Sequence, residues 1–185
     1  MSQRVSGYER KADEQYETVA WVVAALLLHL PPVTCAWDPC DRGSGRLVAT
    51  LARLGIEAIG TDTDFLTIGK PPAGVTHLIT NPPYGENRRG ELAMRFIEHA
   101  LELGVPSVAM LLRNDFDSAV GRQHLFRNNP MFAGKVVLLS RIKWFVGPSS
   151  PSDNHAWALF DRKHVGPPTI RYVTRNEAEF ILARA

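Results

Sequence analysis

Four consecutive residues, Asn81-Pro82-Pro83-Tyr84, carry the clearest chemical signal in the chain. Two successive prolines supply no backbone N–H and have locked φ angles, so the main chain is stiff there and the Pro82 carbonyl is a fixed acceptor. The side-chain oxygen of Asn81 is a second acceptor beside it. Two acceptors converging on one NH2 group orient both of its hydrogens. They also draw a conjugated nitrogen toward tetrahedral geometry, which turns its lone pair toward an electrophile. Such chemistry rests on positioning and on acceptors aimed at developing charge, with no need for a metal or a strong base. Tyr84 adds an aromatic face on which an unstacked base can lie. The purely structural alternative is a Pro-Pro turn at a strand end.

A second group lies upstream. Asp38-Pro39-Cys40-Asp41-Arg42-Gly43-Ser44-Gly45 follows a short apolar stretch and precedes a helical one. Glycine in a strand-to-helix turn permits positive φ and close approach of a ligand to the backbone. The helix start behind it offers unpaired N–H groups to a phosphate or a carboxylate. Asp38 is suited to a cationic amino group, which favours an amino-acid ligand over a phosphate. Asp62 stands 19 residues after Gly43, near the spacing of about 20 at which an acid reaches ribose hydroxyls in such folds. Asp64 faces either an adenine amino group, with Phe65 stacking on the ring, or the turn that follows, as its cap.

The elements that must position these groups alternate. Helices are expected at about 18–30, 45–54, 90–103 and 116–127, and strands at 33–37, 57–60, 76–80, 107–112, 135–140, 155–160 and 169–173, the last two closing the domain. Apolar runs of this kind between amphipathic helices predict an α/β fold with a mostly parallel sheet and helices on both faces. Ligands of such sheets bind beyond the carboxyl ends of the strands, where all three motifs fall.

Bulk properties agree with one soluble domain. Hydrophobic residues make up 45% of the 185 residues and charged residues 22%. A net charge of +2 is too small to argue nucleic-acid binding by itself. Two cysteines, Cys35 and Cys40, make neither a disulfide framework nor a zinc site, and no metal is expected. The apolar run from Val19 to Leu30 is shorter than the roughly 20 residues of a bilayer span. No membrane association and a cytoplasmic location are expected.

With these residues assembled, the chain resembles the class I S-adenosylmethionine-dependent methyltransferases, and most of all the amino-methyltransferase branch with the N6-adenine enzymes, some of them from phages and prophages. The resemblance runs from about Tyr16 to Phe160. It implies a Rossmann-like, doubly wound, seven-stranded sheet with an antiparallel edge hairpin, in a three-layer sandwich. It implies S-adenosyl-L-methionine as cofactor, bound by Tyr16, Thr18, Asp38, Pro39, Gly43, Gly45, Asp62, Asp64 and Phe65. Asn81, Pro82, Pro83 and Tyr84 match the catalytic motif. The segment 1–17 would lie partly ordered over the cofactor's methionine end, with residues 1–185 forming one domain without a target-recognition insert. Two departures stand out. The step from Asp38 to Gly43 is one residue longer than the family's, which introduces Asp41. Asp62 and Asp64 are nearly adjacent, where the family separates the ribose and adenine contacts by a helix and a strand.

A substrate surface is expected from Arg88 and Arg89 after the tetrad and from Arg141, Lys143 and Trp144 with Phe145. Basic side chains interleaved with aromatics suit a phosphate backbone and unstacked bases of DNA or RNA. A solvated basic rim is the plain alternative. Arg113 is a further candidate contact, and His155 reads as a strand-entry residue. Two other functions fit the same motifs: methylation of a protein glutamine amide, and a cofactor-binding module without turnover.

Overall fold

The computed structural model describes residues 17–41, 45–84, 90–144 and 153–185. Four helices, α1 (Ala20–Leu27), α2 (Arg46–Arg53), α3 (Glu91–Glu102) and α4 (Arg175–Leu182), flank seven strands. The strands are β1 (Cys35–Asp38), β2 (Glu57–Gly60), β3 (His77–Thr80), β4 (Ser107–Arg113), β5 (Phe132–Leu138), β6 (His155–Asp161) and β7 (Thr169–Val173). They form one sheet in the order β2-β1-β3-β4-β6-β5-β7. Only β6 runs against its neighbours, pairing antiparallel with β4 and with β5. The expected mixed sheet is therefore present, with β7 added in parallel outside the antiparallel pair.

The layers follow from which residues each strand turns to each face. Ala36, Ile79, Ala109, Leu111, Val136 and Trp157 pack with α1, α2 and Ala178 of α4. Trp37, Leu78, Val108, Met110, Phe132 and Phe160 pack with α3 on the other side. Alternation along each strand divides its apolar side chains between two cores, the pattern of a sheet covered on both faces. Helix α1 is buried over most of its length, and the indole of Trp157 donates to the Val22 carbonyl at 2.8 Å, which fixes the helix to β6.

Two expectations about elements are corrected. Residues 116–127 do not form a helix; Phe116–Ser118 and Val120–Arg122 are separate 3-10 turns. Asp117, Ser118 and Gly121 oppose helix propagation, the first two by competing for backbone groups and glycine by its entropy. The segment is held by its side chains instead. Lys135 Nζ on β5 pairs with Asp117 at 2.8 Å and donates to the Asn114 carbonyl at 3.1 Å. The strands at 155–161 and 169–173 also do not close the chain, because α4 follows. Its start carries a full capping box, in which Thr174 and Glu177 satisfy each other's backbone N–H groups. The sequence Thr174-Arg175-Asn176-Glu177 is the signal that reveals it.

One glycine is required by packing. Gly134 has φ +137° at the irregularity between β5 and β6, and a Cβ there would overlap the backbone of Thr169 on β7. Gly134→Ala is expected to cost about 3 kcal/mol or more, since strain and overlap with main chain cannot be relieved by a rotamer change. Denaturant unfolding measures it; a loss below about 1 kcal/mol would contradict the packing described.

Candidate active site at the switch of the sheet

Strand β1 lies between β2 and β3, so the chain leaves β1 to one side and later returns to the other. A crevice opens at such a reversal beyond the strand ends, where open α/β sheets bind ligands. Asp38 is the last residue of β1, and Thr80, the last of β3, leads directly into Asn81. The two principal motifs thus face each other across this crevice.

They are joined by one hydrogen bond. The Thr80 hydroxyl, fully buried, donates to Asp38 Oδ1 at 2.7 Å. The Cys40 backbone N–H donates to the same oxygen at 3.0 Å. Among the described residues no donor lands on Asp38 Oδ2. Burial pushes the Asp38 carboxyl up to about 6, and the nearby charge of Asp41 adds to the rise, while the Thr80 and Cys40 bonds counter it. Asp38 is 6% exposed, and Oδ2 is the oxygen that Thr80 and Cys40 leave to a further partner. The amino-acid ammonium of S-adenosylmethionine has the charge and donors this oxygen needs, so Asp38 fits that cofactor at its methionine end.

The glycine turn is built from both flanks. Gly45 has φ +61°, the left-handed conformation expected of it, and heads α2. Asp41, the extra loop residue, accepts from the Gly45 N–H at 2.7 Å and lies against Gly60, where a Cβ would collide with its carboxylate. Asp41 is a loop staple. It consumes one of the N–H groups expected for a ligand and brings a negative charge to the start of α2, so an anionic group finds fewer donors there than the sequence suggests. Glu17 pairs with Arg46 at 2.8 Å, which ties the described end of the N-terminal segment to the same helix start, with Thr18 buried beside it. Pro39 is buried in the turn. Tyr16 and Gly43 lie outside the described residues.

On the β2 side Asp62 is exposed just past the strand end, open to a sugar hydroxyl. The two residues expected at adenine make contacts within the protein. Phe65 is 1% exposed and packs edge-on against Trp37 and His99 and beside Phe96, so its faces belong to the core. Asp64 takes the capping alternative and accepts from the Leu66 N–H at 3.1 Å. The short 3-10 turn Phe65–Thr67 stands where a helix and strand would separate two acidic contacts.

Beyond β3, Pro82 is buried, while Asn81, Pro83 and Tyr84 are half-buried at the crevice. The Tyr84 hydroxyl donates to the Leu111 carbonyl of β4 at 3.0 Å, which anchors the end of the corner to the next strand. Arg113 at the end of β4 is held by Asp115 through two bonds, Nε at 3.2 Å and Nη2 at 2.7 Å. His155 faces Arg113 across the β4–β6 pair. Burial holds its imidazole down to about 4, neutral at ordinary pH, as suits a strand-entry residue. Trp144 is half-buried and sets its ring edge-on to His155, which makes it a packing residue on its described contacts. Lys143 is exposed, and Arg141 Nε donates to Asn154 at 3.2 Å. Arg88, Arg89 and Phe145 lie outside the described residues. Among the described residues no cluster of His, Cys, Asp or Glu could hold a metal, and no helix is long and apolar enough to cross a membrane. Sequence reasoning missed Thr80; a lone hydroxyl residue closing the apolar run His77-Leu78-Ile79 was the available signal.

No family model and no curated protein matches the chain. Solved structures do. A chain from Listeria monocytogenes assigned to the class I S-adenosylmethionine-dependent methyltransferases superposes with a TM-score of 0.52 at 14% identity, covering 89% of this chain and 67% of that one. A chain from Vibrio vulnificus assigned as the modification subunit of a type I restriction enzyme gives 0.54 at 17% identity, covering 88% and 47%. The M protein of the type I restriction enzyme EcoKI, enzyme class EC 2.1.1.72, gives 0.52 at 13% identity, covering 88% and 49%. The chain spans about half the length of these two restriction-enzyme subunits. The fold is the Rossmann-like fold that these structures share.

Proposed function

We propose that this chain is an S-adenosylmethionine-dependent methyltransferase that transfers a methyl group to an exocyclic amino nitrogen, with adenine N6 of nucleic acid as the target. The observation that carries the reading is the Thr80–Asp38 hydrogen bond, which ties the start of the Asn81-Pro82-Pro83-Tyr84 corner to a carboxylate that is, among the described residues, the one buried acid. In this reading Asp38 binds the amino-acid end of the cofactor and Asp62 its ribose. When bound, the cofactor supplies a methyl group already activated by its sulfonium charge. Asn81 and the Pro82 carbonyl grip the target NH2 and turn its lone pair toward that methyl. No side chain must abstract a proton before the transfer, because the nitrogen sheds its proton after becoming cationic. The fold likeness to restriction-enzyme M proteins favours DNA as the nucleic acid.

Incubation of the protein with labelled S-adenosylmethionine and separate pools of unmethylated DNA, RNA and protein tests the reading. Label is expected in DNA. Label confined to protein would instead support glutamine amide methylation. Cofactor binding without transfer to any pool would support a module without turnover.

A further inference from the structure

Thr80 touches the Asp38 carboxylate with its side chain and adjoins the acceptor corner through its backbone. Its hydroxyl ends on Asp38 Oδ1, and its carbonyl carbon is bonded to the nitrogen of Asn81. The residue is completely buried at the end of an apolar strand, where valine would fill the same volume without a polar atom to satisfy. A buried hydroxyl whose bond is made to a carboxylate has a role that packing alone does not require. Both protein donors to the Asp38 side chain land on Oδ1. The carboxylate plane is thereby fixed, and Oδ2 is the oxygen presented to a ligand.

We propose that Thr80 is a positioning residue that links the Asp38 cation site to the Asn81 corner, so that ionisation or occupancy of one sets the posture of the other. This rests on the methyl-transfer reading for its purpose, although the link itself is a property of the ligand-free protein. The backbone restricts how the corner can answer. Pro82 and Pro83 stiffen it from within, Tyr84 is anchored to β4 through Leu111, and Thr80 holds the near end to β1. Loss of the Thr80 bond removes the side-chain tie between Asp38 and the residue that precedes Asn81, while the β3–β4 pairing still holds the Thr80 backbone. The groups acting on Asp38 are the Asp41 carboxylate, which opposes its ionisation, and the Thr80 hydroxyl and Cys40 amide, which favour it.

The test is an NMR titration of the ligand-free protein, following the Asp38 carboxyl carbon and the Asn81 side-chain NH2. In the wild type the Asn81 resonances should follow the Asp38 titration, with a midpoint near the value of about 6. Thr80→Val should raise that midpoint by about one unit and uncouple the Asn81 signals from it, since a hydrogen bond to the charged form is lost. Thr80→Ser should restore both. Calorimetry should show about twofold weaker S-adenosylmethionine binding by Thr80→Val at pH 7 and about tenfold weaker binding at pH 5, because one pKa unit corresponds to a factor of about ten only where Asp38 is mostly protonated in both proteins. An unchanged Asp38 midpoint in Thr80→Val, or failure of serine to restore it, overturns the proposal. Thr80→Cys, a weaker donor of similar size, provides the same comparison if the valine variant does not fold. Failure of the wild type to bind S-adenosylmethionine would overturn the methyl-transfer reading and leave the link between Thr80 and Asp38 to be judged by the titration alone.

Discussion

Asp38→Asn should yield a more stable protein that no longer holds its cofactor. The carboxyl is raised from an ordinary 3.8 to about 6 in the fold, chiefly by burial. A rise of that size corresponds to about 3 kcal/mol of stability present below pH 3.8 and lost as pH climbs through about 6. Asparagine keeps an oxygen for the Thr80 hydroxyl and the Cys40 amide and has no charge to desolvate. It must bury an NH2 group in return, at a cost of about 1–2 kcal/mol at any pH, so the expected net gain at pH 7.5 is about 1–2 kcal/mol, turning into a loss of about 1 kcal/mol near pH 4. Only the difference between the two proteins isolates this effect. His155 shifts the opposite way, from 6.5 to about 4, and stabilises the fold more as pH rises across an overlapping window. Affinity should move in the other direction, with binding of S-adenosylmethionine weakened at least about 100-fold because the ammonium loses its buried counter-charge. Wild-type affinity should itself fall about tenfold per unit below pH 6 as Asp38 takes up a proton. Thermal unfolding and calorimetry measure the two halves. A destabilised variant with normal affinity would show that Asp38 is an internal turn residue and not a ligand.

Asn81→Ala should separate rate from binding. In the proposed reaction Asn81 contacts the nitrogen that is methylated and does not touch the amino-acid end of the cofactor, which belongs to Asp38. Removing one acceptor aimed at developing charge costs about 100- to 1,000-fold in turnover. Cofactor affinity should stay within about threefold of wild type, the range of ordinary surface substitutions. Single-turnover rates and calorimetry distinguish the outcomes. A large loss of affinity with intact turnover would contradict the role given to Asn81. The valine and alanine variants also make a contrast: Thr80→Val should change affinity and rate together, because Thr80 stands between the two sites.

Most of the strand order and the two loops that meet beyond β1 and β3 were legible in the sequence because each rests on local chemistry. Alternating apolar runs identify β1, β3 and β4, and Gly45 announces its left-handed turn. Features settled by tertiary packing were not legible. Phe65 reads from the sequence as a stacking ring, and only the packing of α3 on the sheet brings Trp37, Phe96 and His99 around it. Asp41 reads as a spare acid until Gly60 of the neighbouring strand comes against it. The helix expected at 116–127 is replaced by two 3-10 turns, with Ser118 and Gly121 opposing a continuous helix. Thr80 was missed because its partner lies 42 residues away in the chain. The capping box that starts α4 was visible locally and marks the end of the sheet more clearly than any strand signal.

In the proposed reaction a stiff acceptor corner beside a buried acid serves an amino nitrogen of a nucleobase. Mass spectrometry of nucleosides digested from DNA after reaction with the wild-type protein and with Asn81→Ala examines this most directly. N6-methyladenosine-type product from the wild type, nearly absent with the variant, is the predicted result. Methylated cytosine or guanine alone, or equal product from both proteins, would contradict it.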